Sequence, residues 1–326
     1  MKHVHWLLPF DAQDHSVLAL SNLASVRLRA ATILAGKAEK SFSISFGERF
    51  PAAQMIVVGK VGPDQNSRHA IWLRYLAEQR ELGAKIIIDY TDDHLRVASA
   101  MSEFYKAARL YATSYVVPSA YLQKSLIESG CLSVMLIPDI LESPVIIPKQ
   151  TVGSPLSLLW FGHPSNIVFL IRLIERRPDV FRQTRLFLVT DRNGFAIFSQ
   201  FQRQFPFQID YVFQEWSPKK LVEVSRLSDL CIIPSDVNSD RKAGASSNRL
   251  ITALALGLPT AATVLQSYHD FQPYFANIET GEFDELIHSP IAWSRRFTDE
   301  QRGIVAPFDQ ETVSAAWVNH FNALLT

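Results

Sequence analysis

Residues 242–263 read KAGASSNRLITALALGLPTAAT. The stretch opens small and polar, with a cation at Lys242 and hydroxyls at Ser246 and Ser247, and turns apolar from Leu250 to Leu256. Gly257 and Pro259 stop the run, because glycine takes the left-handed position past a helix end and a nearby proline prevents continuation. The residues after them, 260–265, read as a strand. Ser246 or Ser247 is expected to cap the helix, since a short side-chain oxygen satisfies amides that lack an intrahelical partner. Free amides and partial positive charge at a helix start suit an anion, and Lys242 and Arg249 lie beside them. The expected product is a phosphate cradle opening a buried helix in an α/β domain; an ordinary capped helix is the other reading.

The same residues resemble the nucleotide-sugar-binding stretch of GT-B glycosyltransferases, the family-four-like branch above all. The elements that carry the resemblance are Lys242, Ser246, Ser247, Asn248, Arg249, Ala255, Gly257 and Pro259. A second likeness is WFGHPSN at 160–166, which resembles the opening of the C-terminal domain in that branch. The pattern departs in one respect. Many relatives carry a glutamate that grips the donor ribose directly before the first Ala of the helix, with a partner glutamate upstream. Here Thr252 and Gly244 stand in those places. Donor binding is then achieved by other groups, or is weak, or is absent.

Composition supports a globular protein. The chain has 326 residues, 48% of them apolar and 20% charged, enough for two domains with cores of their own. Lys plus Arg and Asp plus Glu number 32 each. That balance gives no general reason to expect nucleic acid, and at most peripheral membrane contact. Only Cys131 and Cys231 occur, read as buried thiols in a reducing, cytoplasmic compartment. The N-terminus lacks a secretory pattern, and no apolar run is long enough to span a bilayer.

Short apolar runs alternate with helix-length amphipathic segments. Strands are expected at 4–8, 55–58, 85–89, 115–117 and 134–137, then at 156–161, 185–189, 208–213, 230–233 and 260–264. Helices are expected near 21–34, 68–82, 95–110 and 120–129, then near 167–176, 194–205, 218–227 and 248–256. Apolar strands separated by helices imply parallel sheets covered on both faces. The fold class is α/β, and the resemblance implies two doubly wound Rossmann-like domains facing a cleft. The boundaries are 1–147 for an acceptor-side domain, 148–308 for a nucleotide-sugar domain, and 309–326 for a terminal helix crossing back to the first. The linker falls within 143–155, which holds three prolines and a glycine. The terminal helix starts at Asp309 as a cap and places Val313, Trp317, Phe321 and Leu324 on one face.

Ligands in open α/β sheets sit beyond the carboxyl ends of strands. That rule selects Asp93 and His94, a carboxylate and an imidazole able to orient a hydroxyl or take its proton; a helix cap and a first-turn histidine are the plain alternative. IIIDYTDD at 86–93 also looks like the aspartate-rich metal and diphosphate motif of GT-A transferases. Arg27 and Arg29 resemble an arginine element near the first helix of GT-B proteins, and Lys60 ends a strand; these three are acceptor-side candidates. His163 and Asn166, from the WFGHPSN motif, and Trp216, which offers stacking area, join Lys242, Ser246, Ser247, Asn248 and Arg249 as donor-binding candidates. No zinc-ligand spacing, Walker A sequence or Gly-x-Gly-x-x-Gly run appears.

The resemblance implies transfer of a sugar from a nucleoside-diphosphate sugar, a co-substrate rather than a cofactor, to a hydroxyl of a glycan, lipid-linked or protein acceptor, without a metal. The alternatives are a catalytically weak or inactive GT-B-like binding or scaffold protein, favoured by Thr252 and Gly244, and a metal-dependent GT-A-type transferase.

Overall fold

A computed structural model describes residues 2–10, 16–19, 21, 23–35 and 41–326. The chain divides into two compact units. Unit 1 comprises Met1–Ile140, Ala243–Ser246 and Pro307–Thr326; unit 2 comprises Leu141–Lys242 and Ser247–Ala306. Each unit is built on one six-stranded sheet, and every strand pair is parallel. Two separate sheets with helices between successive strands set aside the GT-A alternative.

Unit 1 holds β1 (Lys2–Leu7), β2 (Phe42–Gly47), β3 (Met55–Val58), β4 (Lys85–Asp89), β5 (Ser114–Val117) and β6 (Val134–Leu136), in the order β2-β1-β3-β4-β5-β6. Alternate residues of the strands feed two cores. Val4, Trp6, Val57, Ile87 and Val116 face one side, where Trp317 and Phe321 of the helix Gln310–Leu325 cover them. Leu7, Ile56, Val58, Ile88 and Val117 face the other, under Trp72 and Leu76 of the helix Arg68–Glu81. Trp317 lies 4.9 Å from the Trp6 ring, and His320 Nε2 is 2.9 Å from Ser114 Oγ. The Asp309 carboxylate accepts from the Glu311 amide and starts that helix.

Unit 2 holds β7 (Leu156–Phe161), β8 (Thr184–Thr190), β9 (Asp210–Glu215), β10 (Leu230–Ile233), β11 (Thr260–Ala262) and β12 (Ala276–Asn277), in the order β12-β11-β10-β7-β8-β9. Leu158, Trp160, Leu188 and Ile232 pack under Leu170, Ile174 and Phe198 on one face. Leu159, Phe161, Val189 and Ile233 pack under Leu221, Leu250 and Leu254 on the other.

Several elements differ from the sequence reading. The division falls at Ile140–Leu141, ahead of residue 147. Hydrogen bonds explain why: Ile146 N donates to Ala255 O at 2.7 Å, and Gln301 Nε2 donates to Ile146 O at 2.9 Å, so this part of the linker is already tied to unit 2. The helix expected near 95–110 is reduced to Ser102–Ala108, because Ser99 and Ser102 bond nearby backbone and each other and hold 95–101 in turns. The helix expected near 21–34 becomes a π-turn, Val26–Ala30, running into a 3₁₀ segment, Ala31–Ala35; residue 22 lies outside the described residues. Strand β2 and the short β12 were not expected. Both cysteines are buried and unbonded. Among the described residues no helix is long and apolar enough to cross a membrane.

Candidate functional site

The strand order of unit 2 reverses between β7 and β10, and at such a switch point the loops leaving neighbouring strands diverge and open a crevice. The residues that line this edge come from three places. β7 ends at Phe161 and runs through Gly162 and His163 into a short 3₁₀ turn, Pro164–Asn166. β10 leads to Lys242. The helix Asn248–Ala255 begins at the same edge, stopped at its far end by Gly257, which has a φ of +72° and no room for a β-carbon against Ile146 O.

Arg249 is the central group. Its guanidinium lies over the rings of Trp160 and Phe161, 5.5 and 5.7 Å from their centroids. It also lies against the bare Cα of Gly162, where a β-carbon would stand 3.3 Å from Cζ. The residue as a whole is partly buried, but Nε and Nη2 are buried and have no hydrogen-bond partner among the described residues. Burial lowers the affinity of this guanidinium for its proton, with Tyr268 and Cys231 acting in the opposite direction. Desolvating a cation without a counter-charge is unfavourable, and a well-placed anion beside it offsets part of that cost.

Two further candidates meet here. Lys242 Nζ donates to Asn166 Oδ1 at 2.9 Å and stands 5.9 Å from the centroid of Phe169. His163 is exposed, and its Nδ1 accepts from Ser165 N at 3.2 Å, the tautomer that carries the proton on Nε2 as a donor. Ser247, one of the two serines expected to cap this helix, occupies the N-cap position at φ −72° and ψ 3° and makes no side-chain cap bond, so its hydroxyl does not close off the first amides. Asn248 and Ser246 flank it, and Ser246 counts with unit 1. Trp216 leaves β9 with its amide bonded to Thr190 O at 2.9 Å and its ring half-buried on the core, on the same sheet edge but two strands from β7.

Gly244 has a structural reason to be glycine. A β-carbon there would stand 2.8 Å from Cγ and Cδ2 of Leu122, while its carbonyl accepts from Ser119 Oγ at 3.0 Å. Ser119 also accepts from Leu122 N and caps the helix Ala120–Glu128. A glutamate cannot stand at 244 without displacing Leu122. Thr252 is buried on its helix.

In unit 1 the candidates are distributed differently. Asp93 is buried and both carboxylate oxygens are engaged: Oδ1 accepts from Tyr90 Oη at 3.1 Å and Arg96 N at 3.2 Å, and Oδ2 accepts from Ser125 Oγ at 2.9 Å. His94 is buried, stacked on Tyr105 with centroids 4.8 Å apart, and its Nδ1 lies 2.8 Å from Ser99 Oγ. Arg27 donates to Ser21 O at 2.7 Å. Arg29 is fully interior: Nε donates to Asp89 at 2.6 Å and Nη1 to Asp139 at 3.0 Å. Burial pushes Asp89 up to about 6 despite that guanidinium. Lys60 pairs with Asp92, both partly exposed, where β3 and β4 end. Lys60 and Asp92 are therefore the open members of this set, whereas Asp93, His94 and Arg29 are buried. Asp92 enters the sequence reading only within the IIIDYTDD run and Gly162 only within WFGHPSN; a place in the loop that leaves a strand, three residues past β4 and one past β7, is the signal that marks both.

No family model matches the chain, and no curated protein matches it in sequence. Solved structures do match in fold. HepE of Anabaena, in complex with UDP, superimposes with a TM-score of 0.65 at 10% identity over 99% of this chain and 100% of that one. An alpha-glucosyltransferase in complex with UDP gives 0.63 at 9% identity over the whole of both chains. TarM gives 0.58 at 11% identity over 90% of this chain, which spans 58% of the TarM chain. The fold is that of the GT-B glycosyltransferases.

Proposed function

We propose that the chain binds a nucleoside-diphosphate sugar in unit 2 and transfers its sugar to an acceptor hydroxyl. The observation that carries the reading is Arg249, a partly buried guanidinium whose two buried nitrogens, Nε and Nη2, have no partner among the described residues, at a sheet switch point, beside Lys242 and the start of a helix. Such donors, fixed in place before a ligand arrives, favour a group whose negative charge grows as the reaction proceeds. In the transfer the bond from the anomeric carbon to the diphosphate breaks, its electron pair stays on the diphosphate oxygen, and the acceptor oxygen takes the carbon and gives up its proton to the departing diphosphate.

Arg249 and Lys242 hold the leaving diphosphate, His163 Nε2–H and Asn248 add hydrogen bonds, and Trp216 borders the base. Charge on the leaving group is carried by these cations, so the reading assigns no metal. Asp93 and His94 act by holding the loop that presents Asp92 and Lys60 on the acceptor side; their engagement with Tyr90, Ser125 and Ser99 supports positioning rather than proton transfer. The acceptor is a glycan, lipid-linked or protein hydroxyl.

Incubation with UDP-sugars and acceptor extracts, in EDTA, tests the reading by release of UDP and gain of mass on the acceptor. Turnover in EDTA supports it. Turnover that vanishes and returns with Mn²⁺ contradicts the metal-free part. Binding of UDP-sugar with no transfer to any acceptor favours the second reading, a GT-B-shaped binding protein, which Gly244 and Thr252 also favour.

A further inference from the structure

Unit 1 has a switch point of its own, between β1 and β3, where the strand order reverses. There the residues that follow β2 and the loop and helix that follow β3 border an open crevice of about 160 Å³ lined by Glu48, Phe50, Gln65, Asn66, Arg68 and Ile71. Its polar side is preformed. Arg68 Nε donates to Glu48 Oε1 at 2.6 Å, and Arg68 Nη2 donates to Pro9 O at 3.3 Å, just past the end of β1. Its apolar side is unusually open for such residues: Phe50 is 42% exposed and Ile71 44%. Phe50 is held against Tyr75, with centroids 5.0 Å apart, and Tyr75 Oη donates to Pro51 O at 2.8 Å.

The loop that supplies Gln65 and Asn66 is fixed at both ends. His69 N donates to Asp64 Oδ1 at 3.0 Å, and His69 Nε2 donates to Gly62 O at 2.9 Å. Asn66 and Ser67 are both held in left-handed backbone, at φ of 52° and 57°, a conformation that non-glycine residues keep only when their surroundings impose it.

The chemistry of the lining selects a ligand class. Among the described residues that line the crevice, Glu48 and Arg68 are the charged ones and neutralise each other, so this lining offers no net charge to a phosphate or a carboxylate. It offers instead a carboxylate, a guanidinium and two carboxamides, planar groups that each bond adjacent hydroxyls. Phe50 and Ile71 present an apolar wall that suits C–H groups. The volume is below the usual range for drug-sized ligands and is suited to a single ring. We propose that this crevice is a subsite for one neutral pyranose. Its role as the acceptor-side sugar of the transfer rests on the function proposed above; sugar binding itself does not.

The test titrates the full chain with neutral methyl pyranosides, with glucuronate and glucose 6-phosphate, and separately with UDP, following binding by calorimetry and saturation-transfer NMR. At least one neutral pyranoside is expected to bind in preference to the charged sugars. Phe50→Ala is expected to weaken it fivefold or more, Phe50→Tyr to retain it, and both to leave UDP affinity unchanged. No neutral pyranoside binding, preference for a charged sugar, or indifference to Phe50→Ala overturns the subsite, whatever UDP does. A pyranoside that responds as expected in a protein that ignores UDP upholds the subsite and refutes the donor reading instead.

Discussion

Gly162 and Arg249 share one space: a β-carbon on Gly162 would stand 3.3 Å from Cζ of Arg249 and 3.4 Å from its Nε and Nη2. The absence of a side chain at the end of β7 is what lets the guanidinium lie along the strand exit. Gly162→Val is therefore expected to displace Arg249 and to weaken UDP binding about tenfold, roughly 1.4 kcal/mol. Calorimetry on a variant whose melting temperature is otherwise retained checks this. Undiminished affinity would mean that Arg249 does not contact the diphosphate from this position.

Lys242 is oriented by Asn166 through a 2.9 Å hydrogen bond. Lys242→Ala is expected to cost UDP about 1–3 kcal/mol of binding, the scale of a charge-assisted hydrogen bond. Uridine, lacking phosphate, should be nearly unaffected. Equal losses for both ligands would place Lys242 at the base or ribose.

Much of the fold was legible because both sheets are buried on two faces, so strands such as β4 and β10 are unbroken apolar runs. Strand β2 escaped notice although Phe42, Ile44 and Phe46 alternate with serines, the period-2 pattern of a half-covered edge strand. The two-residue β12 has no pattern to find. At the site, the helix at 248–255 and its cations were legible from local chemistry. What sequence spacing does not carry is burial. Arg29 reads as an acceptor-side arginine and is interior because Asp89 and Asp139, far along the chain, come together around it. Asp93 reads as a strand-end carboxylate and is engaged by Ser125 from another helix. The crevice at Glu48, Phe50 and Arg68 depends on β2 and β3 flanking β1, a topological fact.

Gly244 tests the steric account of the missing glutamate. Gly244→Ala places a β-carbon 2.8 Å from Leu122, inside a packed cluster. Overpacking of this kind is expected to destabilise the fold by about 1–3 kcal/mol. Denaturant unfolding measures it, and a neutral result would show that this loop yields.

Stability should also depend on pH through His5. It is buried, with Nδ1 2.8 Å from Ser45 Oγ, and burial, with His3 adding to it, lowers its pKa to about 4. Between about pH 6.5 and pH 4 the unfolded chain binds a proton that the folded one refuses, so stability falls as pH falls through that window. Asp89, raised to about 6, works in the opposite direction over part of the same range. His5→Gln isolates the histidine: its unfolding free energy should decline less on acidification than that of the unaltered protein, by up to about 3 kcal/mol. Parallel pH profiles for the two proteins would remove His5 as the cause.

The terminal helix belongs energetically to unit 1. Trp317 is fully buried against Trp6 and Phe321. Trp317→Ala is expected to cost about 3–5 kcal/mol of stability. Thermal unfolding followed by calorimetry checks the value; a loss under about 1 kcal/mol would mean that this helix adds little to the core it covers.

The most direct test of the central claim is calorimetric titration of UDP and uridine into the protein and into Arg249→Ala at one fixed salt concentration. The account predicts that the unaltered protein prefers UDP over uridine, and that Arg249→Ala loses about tenfold or more of UDP affinity while uridine is unchanged. Equal affinity of the two proteins for UDP, or no preference for UDP over uridine in either, would contradict it.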